Sequence, residues 1–434
     1  MKIEDLGIGK VGSRQRVSAT ITWENVNRPA QELYFETEEN FAQSLSCNPS
    51  AFLVACIMPA WRYGEERVFV DAEICPELRD GLITAMEWFR YWYDWYEPNR
   101  PLVKIEAKKG FKASVPPASP RAGLTFSGGI DSLAALRINR LNYPFDHPAS
   151  FKDALFVYDL EVLHPEVYNK ALSSLAEIAK DASVTLVPVY TNIKYLSNIN
   201  TELDVDPDFW LDFWQYEFMG ACLAAIAHAF SPPLNSLTIA SHYDVPSINP
   251  YGCHPLIDPN FSSSSMRIQH ARLLTRFEKT KLIADWDAAV DNVRVCNRHD
   301  LHKFFAETGL VNCGKCEKCT RTMLTLLALG RLKGSRAFPT DDISEEQVAS
   351  NVHLYRHQQL FPQLVTLLRE AGRPDLARAV ERIIAENNKP EWKKIWRARR
   401  QNLRVKRILH KFDQKYLAGN ITKAKNYFYP SQTK

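Results

Sequence analysis

The chain has 434 residues, of which 45% are hydrophobic and 24% are charged, and this composition indicates a soluble globular protein of two or three domains. No apolar run reaches the roughly 18 residues that a membrane-spanning helix needs, and the N-terminal MKIEDLGIGK lacks the apolar core of a signal peptide. Nine cysteines are too few for a disulfide-stabilised scaffold of this length, which favours a reducing compartment. We therefore expect a cytoplasmic protein without a transmembrane segment.

Residues 1–107 are predicted to form an α+β domain, because strand patterns such as RVSATITWE and ERVFVDAEI alternate with helical patterns. The segment 40–61 has a helical pattern divided by Pro49. Residues 76–96 predict an aromatic-rich helix whose rings are typical of a core or a domain interface. Residues 108–122, KKGFKASVPPASPRA, contain three prolines and are predicted to be a linker.

Residues 123–338 are predicted to form an α/β domain in which a parallel sheet is flanked by helices, because strand and helix patterns alternate there. The predicted strands are 124–126, 154–158, 185–189 and 236–240, and the predicted helices are 131–141, 165–181 and 209–229. Polar side chains follow the strand ends, where such sheets bind ligands. Residues 339–388 are predicted to be a helical region, with helices at 345–361, 362–371 and 374–387.

The sequence LTFSGGIDSLAAL, residues 124–136, predicts an anion-binding turn. A short apolar strand is broken by two glycines, and an Asp-Ser pair then opens a helix. Backbone N–H groups in the first turn of a helix lack internal partners, and glycines let the backbone approach a phosphate closely. No lysine follows the glycines, so this is not a G-x-x-x-x-G-K-[ST] loop. The alternative is an Asp-Ser helix cap after an ordinary glycine turn.

Four cysteines downstream have the spacing of a metal site. They are Cys296, Cys313, Cys316 and Cys319. Two C-x-x-C steps can place three thiolates around one ion, and Cys296 can complete a tetrahedral zinc site. The role would be structural, because four protein ligands leave no open coordination position. The alternatives are a redox pair, buried cysteines without a ligand, or a site in which His299 or His302 replaces Cys296.

Together the two motifs resemble the PP-loop ATP pyrophosphatases, and in particular 7-cyano-7-deazaguanine synthase and its relatives, over residues 124–330. The resemblance implies a nucleotide α-hydrolase-like (HUP-like) fold with a five-stranded parallel sheet and a four-cysteine zinc knuckle. It also implies that ATP binds with Mg²⁺ at the glycine turn, with Asp131 as the natural carboxylate for the metal. The residues implied to hold the pyrophosphate are Ser127, Gly128, Gly129, Asp131 and Ser132.

The chain departs from the family at residues 241–259, SHYDVPSINPYGCHPLIDP, where the synthase has a Tyr-Pro-Asp-Cys-Arg segment that lines the base pocket. The segment is dense in His and Asp, which is typical of a substrate pocket. Asp244, Tyr251 and His254 are candidate substrate residues, and His242 is a candidate general base. The alternative is a long proline-held loop whose histidines are merely hydrogen-bonded.

Two basic residues near the start of a later helix are candidate catalytic groups. Related enzymes use a lysine at such a position against the phosphates, where positive charge stabilises the leaving pyrophosphate. Lys279 is the first candidate and Arg276 the second, and the alternative is a solvated helix face. Arg321, two residues after Cys319, is a weaker candidate of the same kind.

The C-terminal residues 389–434 are strongly basic. They hold fourteen Lys or Arg and two Asp or Glu, so the rest of the chain carries a balance of −8 within the overall +4. Nucleic acid, an anionic membrane surface or an acidic partner would fit this amphipathic tail, and so would docking on the acidic body of the same protein.

The sequence therefore predicts a ligase-type enzyme that uses ATP to adenylate a carboxylate or carbonyl oxygen of a small-molecule substrate. Pyrophosphate leaves, and a nitrogen nucleophile then displaces AMP. A role in nucleobase modification or antiviral defence is implied by the resemblance. The alternatives are a tRNA-modifying PP-loop enzyme and a non-catalytic ATP-binding scaffold.

Overall fold

A computed structural model describes residues 1–93, 99–158, 160, 164–197, 213–296, 298, 301–352 and 360–387. The predicted basic tail, residues 389–434, lies outside this part of the chain. The described residues form an α/β structure around one ten-stranded sheet. Its strands are β1 Lys2–Val11, β2 Arg14–Thr22, β3 Gln31–Glu38, β4 Arg67–Val70, β5 Lys104–Ala107, β6 Arg121–Thr125, β7 Phe151–Val157, β8 Thr185–Thr191, β9 Leu234–Ile239 and β10 Arg267–His270.

The strand order is β10-β9-β6-β7-β8-β3-β2-β1-β4-β5, and the sheet is mostly parallel. The five strands from β10 to β8 are all parallel, with β6 in the centre. The chain leaves β6 toward β7 on one side and later returns to place β9 on its other side. The crevice beyond the carboxyl ends of β6 and β9 is thus a topological switch point, where open α/β sheets bind their ligands.

The strands of residues 1–107 extend this sheet rather than forming a second one. β3 pairs antiparallel with β8, with Phe35 opposite Thr191 and Glu36 opposite Tyr190. The Asn192 side chain reinforces the junction, since its Oδ1 accepts from the N–H of Tyr34 at 3.0 Å. The residues predicted as an N-terminal α+β domain and those of the predicted ATP domain therefore share one sheet.

Helices cover both faces of the sheet. They are α1 Pro49–Tyr63, α2 Pro76–Tyr93, α3 Ile130–Asn142, α4 Pro165–Asp181, α5 Met219–Ala229, α6 Arg276–Ala284, α7 Asp287–Asn292, α8 His302–Thr308, α9 Glu317–Ala328, α10 Glu345–Asn351, α11 Leu360–Glu370 and α12 Pro374–Asn387. A π-helical turn, Trp214–Phe218, precedes α5. No helix within the described ranges is long and apolar enough to cross a membrane.

Two hydrophobic cores lie on opposite faces, as alternation along β7 shows. Leu155 and Val157 belong to the first core, whereas Ala154 and Phe156 belong to the second. The first core also contains the residues of α1, α2 and α5, and the second contains those of α3, α4 and the helices that follow residue 276. Burial on both faces explains the continuous apolar run Ala154–Val157 in β7.

The sequence predicted the α/β class and the flanking helices, and the structure confirms both. The helix predicted at 165–181 has those bounds in the structure. The helix predicted at 345–361 is different: α10 ends at Asn351, residues 353–359 lie outside the described part, and α11 begins at Leu360. At the divided segment 40–61, α1 begins at Pro49, a position where proline costs no hydrogen bond.

Candidate functional site

The glycine turn after β6 needs its glycines. Gly128 has a φ of 73°, and a Cβ atom at that position would lie 2.3 Å from Leu175 Cδ2. The positive φ strains any larger residue at Gly128, and a Cβ atom there would also require the Leu175 side chain to shift. Gly129 is the N-cap of α3 and offers no side-chain hydrogen bond to the first turn. The N-terminal N–H groups of α3 thus have no side-chain cap.

Two serines surround this turn. Ser127 Oγ accepts from the N–H of Gly129 at 3.3 Å, and Ser132 Oγ donates to the carbonyl of Gly129 at 3.1 Å. The two hydroxyl oxygens are 3.5 Å apart. The structure therefore brings together the residues of SGGIDS that the sequence predicted as a phosphate cradle.

Asp131, in the first turn of α3, lies between two cations from α6. Arg276 Nη1 donates to Asp131 Oδ2 and Lys279 Nζ donates to Asp131 Oδ1, both at 2.9 Å. Thr275 and Glu278 form a capping box that fixes the start of α6, and this box positions both cations. The side chains of Lys279 and Arg276 are 3% and 9% exposed, whereas that of Asp131 is 21% exposed.

The electrostatics of this cluster leave an excess of positive charge. Burial alone would raise the pKa of Asp131, but Arg276, Lys279 and His242 lower it, and the net result lies well below the ordinary value. The carboxylate is thus ionised at neutral pH and balances only one of the two cations. The α3 dipole adds partial positive charge at the same place. The cluster can accept an anion.

The end of β9 reaches the same cluster. Lys279 Nζ donates to the carbonyl of Ser241 at 2.6 Å, which joins the turn after β9 to the turn after β6. His242 follows and is near enough to act on the charge of Asp131. Its ring lies 5.6 Å from that of Tyr251. The switch point of the sheet therefore holds Asp131, Lys279 and His242 together. Asp131 and His242 were predicted near it from their places after strand ends, and Lys279 from its place near a helix start.

Tyr251 is the centre of an aromatic group beside His242. The rings of Tyr243, Tyr216 and His242 lie 5.6, 5.7 and 5.6 Å from its ring, with edge contacts in each pair. Tyr251 is half-buried. The position is compatible with the predicted substrate role, which stays a prediction.

Asp244 and His254 make contacts that hold the loop itself. Asp244 is buried and its Oδ1 accepts from the N–H of Ser247 at 3.0 Å, so it caps a short 3₁₀ turn. His254 packs edge-on against Trp92 with ring centroids 4.7 Å apart. Burial, with a smaller effect of His270, lowers the pKa of His254 to about 4. Their predicted contacts with substrate stay predictions.

The four predicted cysteines form a group that could hold a metal such as zinc. Their sulfur atoms all lie within 4.8 Å of one another. The Sγ atoms of Cys296 and Cys316 are 3.8 Å apart, and those of Cys313 and Cys319 are 3.9 Å apart. A tetrahedral site with Zn–S bonds of about 2.3 Å requires sulfur separations of about 3.8 Å. His299, the alternative ligand, lies outside the described residues, and His302 stacks on His164 instead.

The surroundings of Cys313 favour the thiolate form of its side chain. Hydrogen bonds from the neighbouring thiols hold its pKa well below the ordinary value. The N–H groups of Lys315 and Cys316 also donate to it, at 3.5 and 3.3 Å. Arg321, by contrast, is buried and ion-paired with Glu317 on its own helix.

The sequence analysis missed Arg294, which is buried beside the glycine turn. Its Nε donates to the carbonyl of Ser127 at 3.1 Å. The only sequence signal was its place two residues before Cys296, which says nothing about the turn. Comparison of the chain with protein families, curated proteins and solved structures found no match.

Proposed function

We propose that this protein is an ATP-dependent ligase-type enzyme that adenylates a carboxylate or carbonyl oxygen and releases pyrophosphate. One observation carries the proposal. Two buried cations, Arg276 and Lys279, share a single carboxylate at an uncapped helix N-terminus, beside a glycine turn at the switch point of the sheet. An anionic phosphate chain is the ligand that this excess positive charge and these free N–H groups fit.

The glycine turn would bind the phosphates that leave. The N–H groups of the first turn of α3 and the hydroxyls of Ser127 and Ser132 would donate to the β- and γ-phosphates. Lys279 and Arg276 would then shift part of their charge from Asp131 to phosphate oxygens, which stabilises the pyrophosphate as it departs. Mg²⁺, held by Asp131, would neutralise charge on the phosphate chain.

The proposed chemistry has two steps. A substrate oxygen attacks the α-phosphorus, the bond to the β-phosphate oxygen breaks, and pyrophosphate leaves with that electron pair. An amine or ammonia then attacks the activated carbon and AMP departs. His242 takes the proton from the attacking nitrogen. The aromatic group around Tyr251 would orient a planar substrate.

The cysteine group would hold a structural zinc ion. Four protein sulfurs leave no position for substrate, and sulfur separations of 3.8 and 3.9 Å fit a tetrahedral ion. We expect one zinc per chain by elemental analysis of the purified protein. Chelation should unfold the region around residues 313–328 rather than only slow catalysis, because the metal contributes folding free energy.

The test is an assay with ATP labelled at the α-phosphate, Mg²⁺, ammonium and a pool of small carboxylic acids, heterocyclic acids included. AMP and pyrophosphate should form in equal amounts. Lys279→Ala should reduce the rate by about 10²–10³-fold, the usual cost of losing one transition-state donor. Lys281→Ala is the matched control, because this exposed lysine lies on the same helix and should retain the rate.

Other outcomes would contradict the proposal. Formation of ADP and phosphate would show a different cleavage. ATP that binds without being cleaved by any acid would favour the scaffold alternative. AMP formation only in the presence of tRNA, lost when residues 389–434 are deleted, would favour the tRNA-modifying alternative.

A further inference from the structure

Residues 293–296 form a short strap that connects the glycine turn to the cysteine group. On the side of the turn, the N–H of Arg294 donates to the carbonyl of Gly128 at 2.8 Å, and its guanidinium Nε donates to the carbonyl of Ser127 at 3.1 Å. A Cβ atom added at Gly129 would lie 3.5 Å from the carbonyl oxygen of Arg294. The strap therefore lies directly against the turn.

The other side of the strap is held by Asn312, which is fully buried. Its Oδ1 accepts from the N–H groups of Val295 and Cys296, at 2.8 and 3.1 Å. Its Nδ2 donates to the carbonyl of Val293 at 2.7 Å. The side-chain amide of Asn312 thus fixes three residues of the strap. The strap ends at Cys296 and Asn312 precedes Cys313, so both belong to segments that enter the cysteine group.

We propose that the strap couples the cysteine group to the glycine turn and that Arg294 is a positioning residue for triphosphate binding. The metal holds Cys296 and Cys313 together, Asn312 transmits that geometry to the strap, and Arg294 fixes the turn. This inference rests on the proposed function for its zinc ion and its triphosphate.

The physical reason lies in the direction of the peptide groups. Arg294 bonds the carbonyl oxygens of Ser127 and Gly128, so these oxygens are engaged by the strap. Without the strap, either peptide could rotate and present its carbonyl oxygen to the site. A carbonyl oxygen repels a phosphate, whereas an N–H group binds it. The positive φ of Gly128 makes such a rotation sterically easy, since glycine adopts both signs of φ.

The first test uses the full-length, zinc-loaded protein and the variant Arg294→Met. Zinc content is measured by elemental analysis, and backbone hydrogen exchange is measured by mass spectrometry. We expect one zinc per chain to be retained and exchange of residues 127–133 to accelerate about tenfold or more, while residues 14–38 are unchanged. Arg336→Met, at an exposed arginine, is the control that should alter neither. Unchanged exchange at 127–133 would overturn the proposal.

The second test removes the metal from the wild-type protein with a chelator. Exchange at 127–133 should accelerate together with exchange at 293–319. Acceleration confined to 293–319 would overturn the coupling. This arm also decides the question if Arg294→Met does not fold.

Titration with MgATP and with inorganic pyrophosphate separates this inference from the proposed function. Affinity for both ligands should fall about tenfold or more in Arg294→Met, since small displacements of binding groups are costly. Zinc-loaded wild-type protein that binds neither ligand would refute the proposed function, and the exchange results would still decide the coupling. Equal affinity of Arg294→Met and wild type would overturn the role of Arg294.

Discussion

Among the described residues, several carboxylates lie between two cations, and the clusters of Asp131 and Glu217 differ in what surrounds them. At the glycine turn, Asp131 bonds Arg276 and Lys279. In the first core, Glu217 bonds Arg62 Nη1 at 3.0 Å and Arg100 Nη1 at 2.9 Å. The Asp131 side chain is 21% exposed, whereas that of Glu217 is 5% exposed.

The Glu217 cluster is closed by aromatic rings. The guanidinium of Arg100 lies 4.0 Å from the ring centre of Trp61, and that of Arg62 lies 5.7 Å from that of Phe213. The carboxylate belongs to the π-helical turn that precedes α5. The same arrangement of charges is enclosed by aromatic rings at Glu217. At Asp131 it lies beside a glycine turn and an uncapped helix, where we propose that a ligand binds. Charge pattern alone does not identify a site.

The largest expected effect separates the two clusters by activity. Lys279→Ala should lower the rate of AMP formation by about 10²–10³-fold with little loss of folded protein. Arg62→Ala should leave the rate per folded molecule within about twofold of the wild-type rate, because the Glu217 cluster is not part of the proposed phosphate site at the glycine turn. Steady-state assays normalised to the folded fraction by circular dichroism would measure both. A rate that falls equally in the two variants would remove the distinction.

The next effect separates them by stability. Glu217→Gln should lower the free energy of unfolding by about 3–5 kcal/mol, because it leaves two buried guanidiniums without a counter-charge. Asp131→Asn should cost less, about 1–2 kcal/mol, since water reaches this partly exposed cluster. Urea denaturation of the two variants in parallel measures the difference. A larger cost at Asp131 than at Glu217 would contradict the comparison.

Acid should destabilise the fold in two pH windows. Burial lowers the pKa of His228 to about 4, so the folded state binds fewer protons than the unfolded state between pH 6.5 and 4. Stability contributed by His228 is therefore lost as the pH falls through that window. Glu217 and Asp131 have lowered pKa values because their cations outweigh burial, so their contributions are present above the unfolded pKa, about 4, and are lost below it.

Unfolding free energies measured between pH 8 and 3 check this order. His228→Gln should reduce the loss of stability in the first window, to which His254 also contributes because its pKa is likewise lowered to about 4. Glu217→Gln should reduce the loss in the second window without altering the first. A profile of Glu217→Gln that parallels wild type below pH 4 would show that its carboxylate is not held ionised by the two arginines.

The smallest effects should come from exchanging arginine for lysine. Arg276→Lys keeps its charge next to Asp131 and should lower activity only a few-fold. Arg100→Lys loses the planar contact with Trp61 and one well-directed hydrogen bond, which should cost about 1–2 kcal/mol of stability. Thermal melts and the AMP assay on the same preparations measure both. A fully inactive Arg276→Lys would mean that guanidinium geometry, rather than charge, is required there.

The features that could be predicted from the sequence are those that depend on residues close together along the chain. The turn at Gly128 follows from adjacent residues, and the cysteine group follows from fixed spacing around Cys313 and Cys316. The bounds of α4 follow from a strong apolar period between Pro165 and Asp181. In each case the physical determinant lies in residues that are close together along the chain.

The rest depends on contacts between distant residues. The pairing of β3 with β8 rests on two residue pairs about 150 positions apart, and no local pattern indicates it. Glu217 pairs with Arg62 and Arg100, which are more than a hundred positions away along the chain, so no local pattern indicates that Glu217 is buried. Nothing in the local sequence distinguishes Arg294 from other charged residues, because its contact with Ser127 joins distant parts of the chain.

Calorimetric titration of MgATP into the zinc-loaded wild-type protein, Lys279→Ala and Lys281→Ala tests the central claim most directly. The account predicts one binding site in the wild type and in Lys281→Ala, and at least about tenfold weaker binding in Lys279→Ala, since a buried cation is removed from the phosphate site. Absence of binding to the wild-type protein at millimolar ATP, or equal binding by all three proteins, would contradict it.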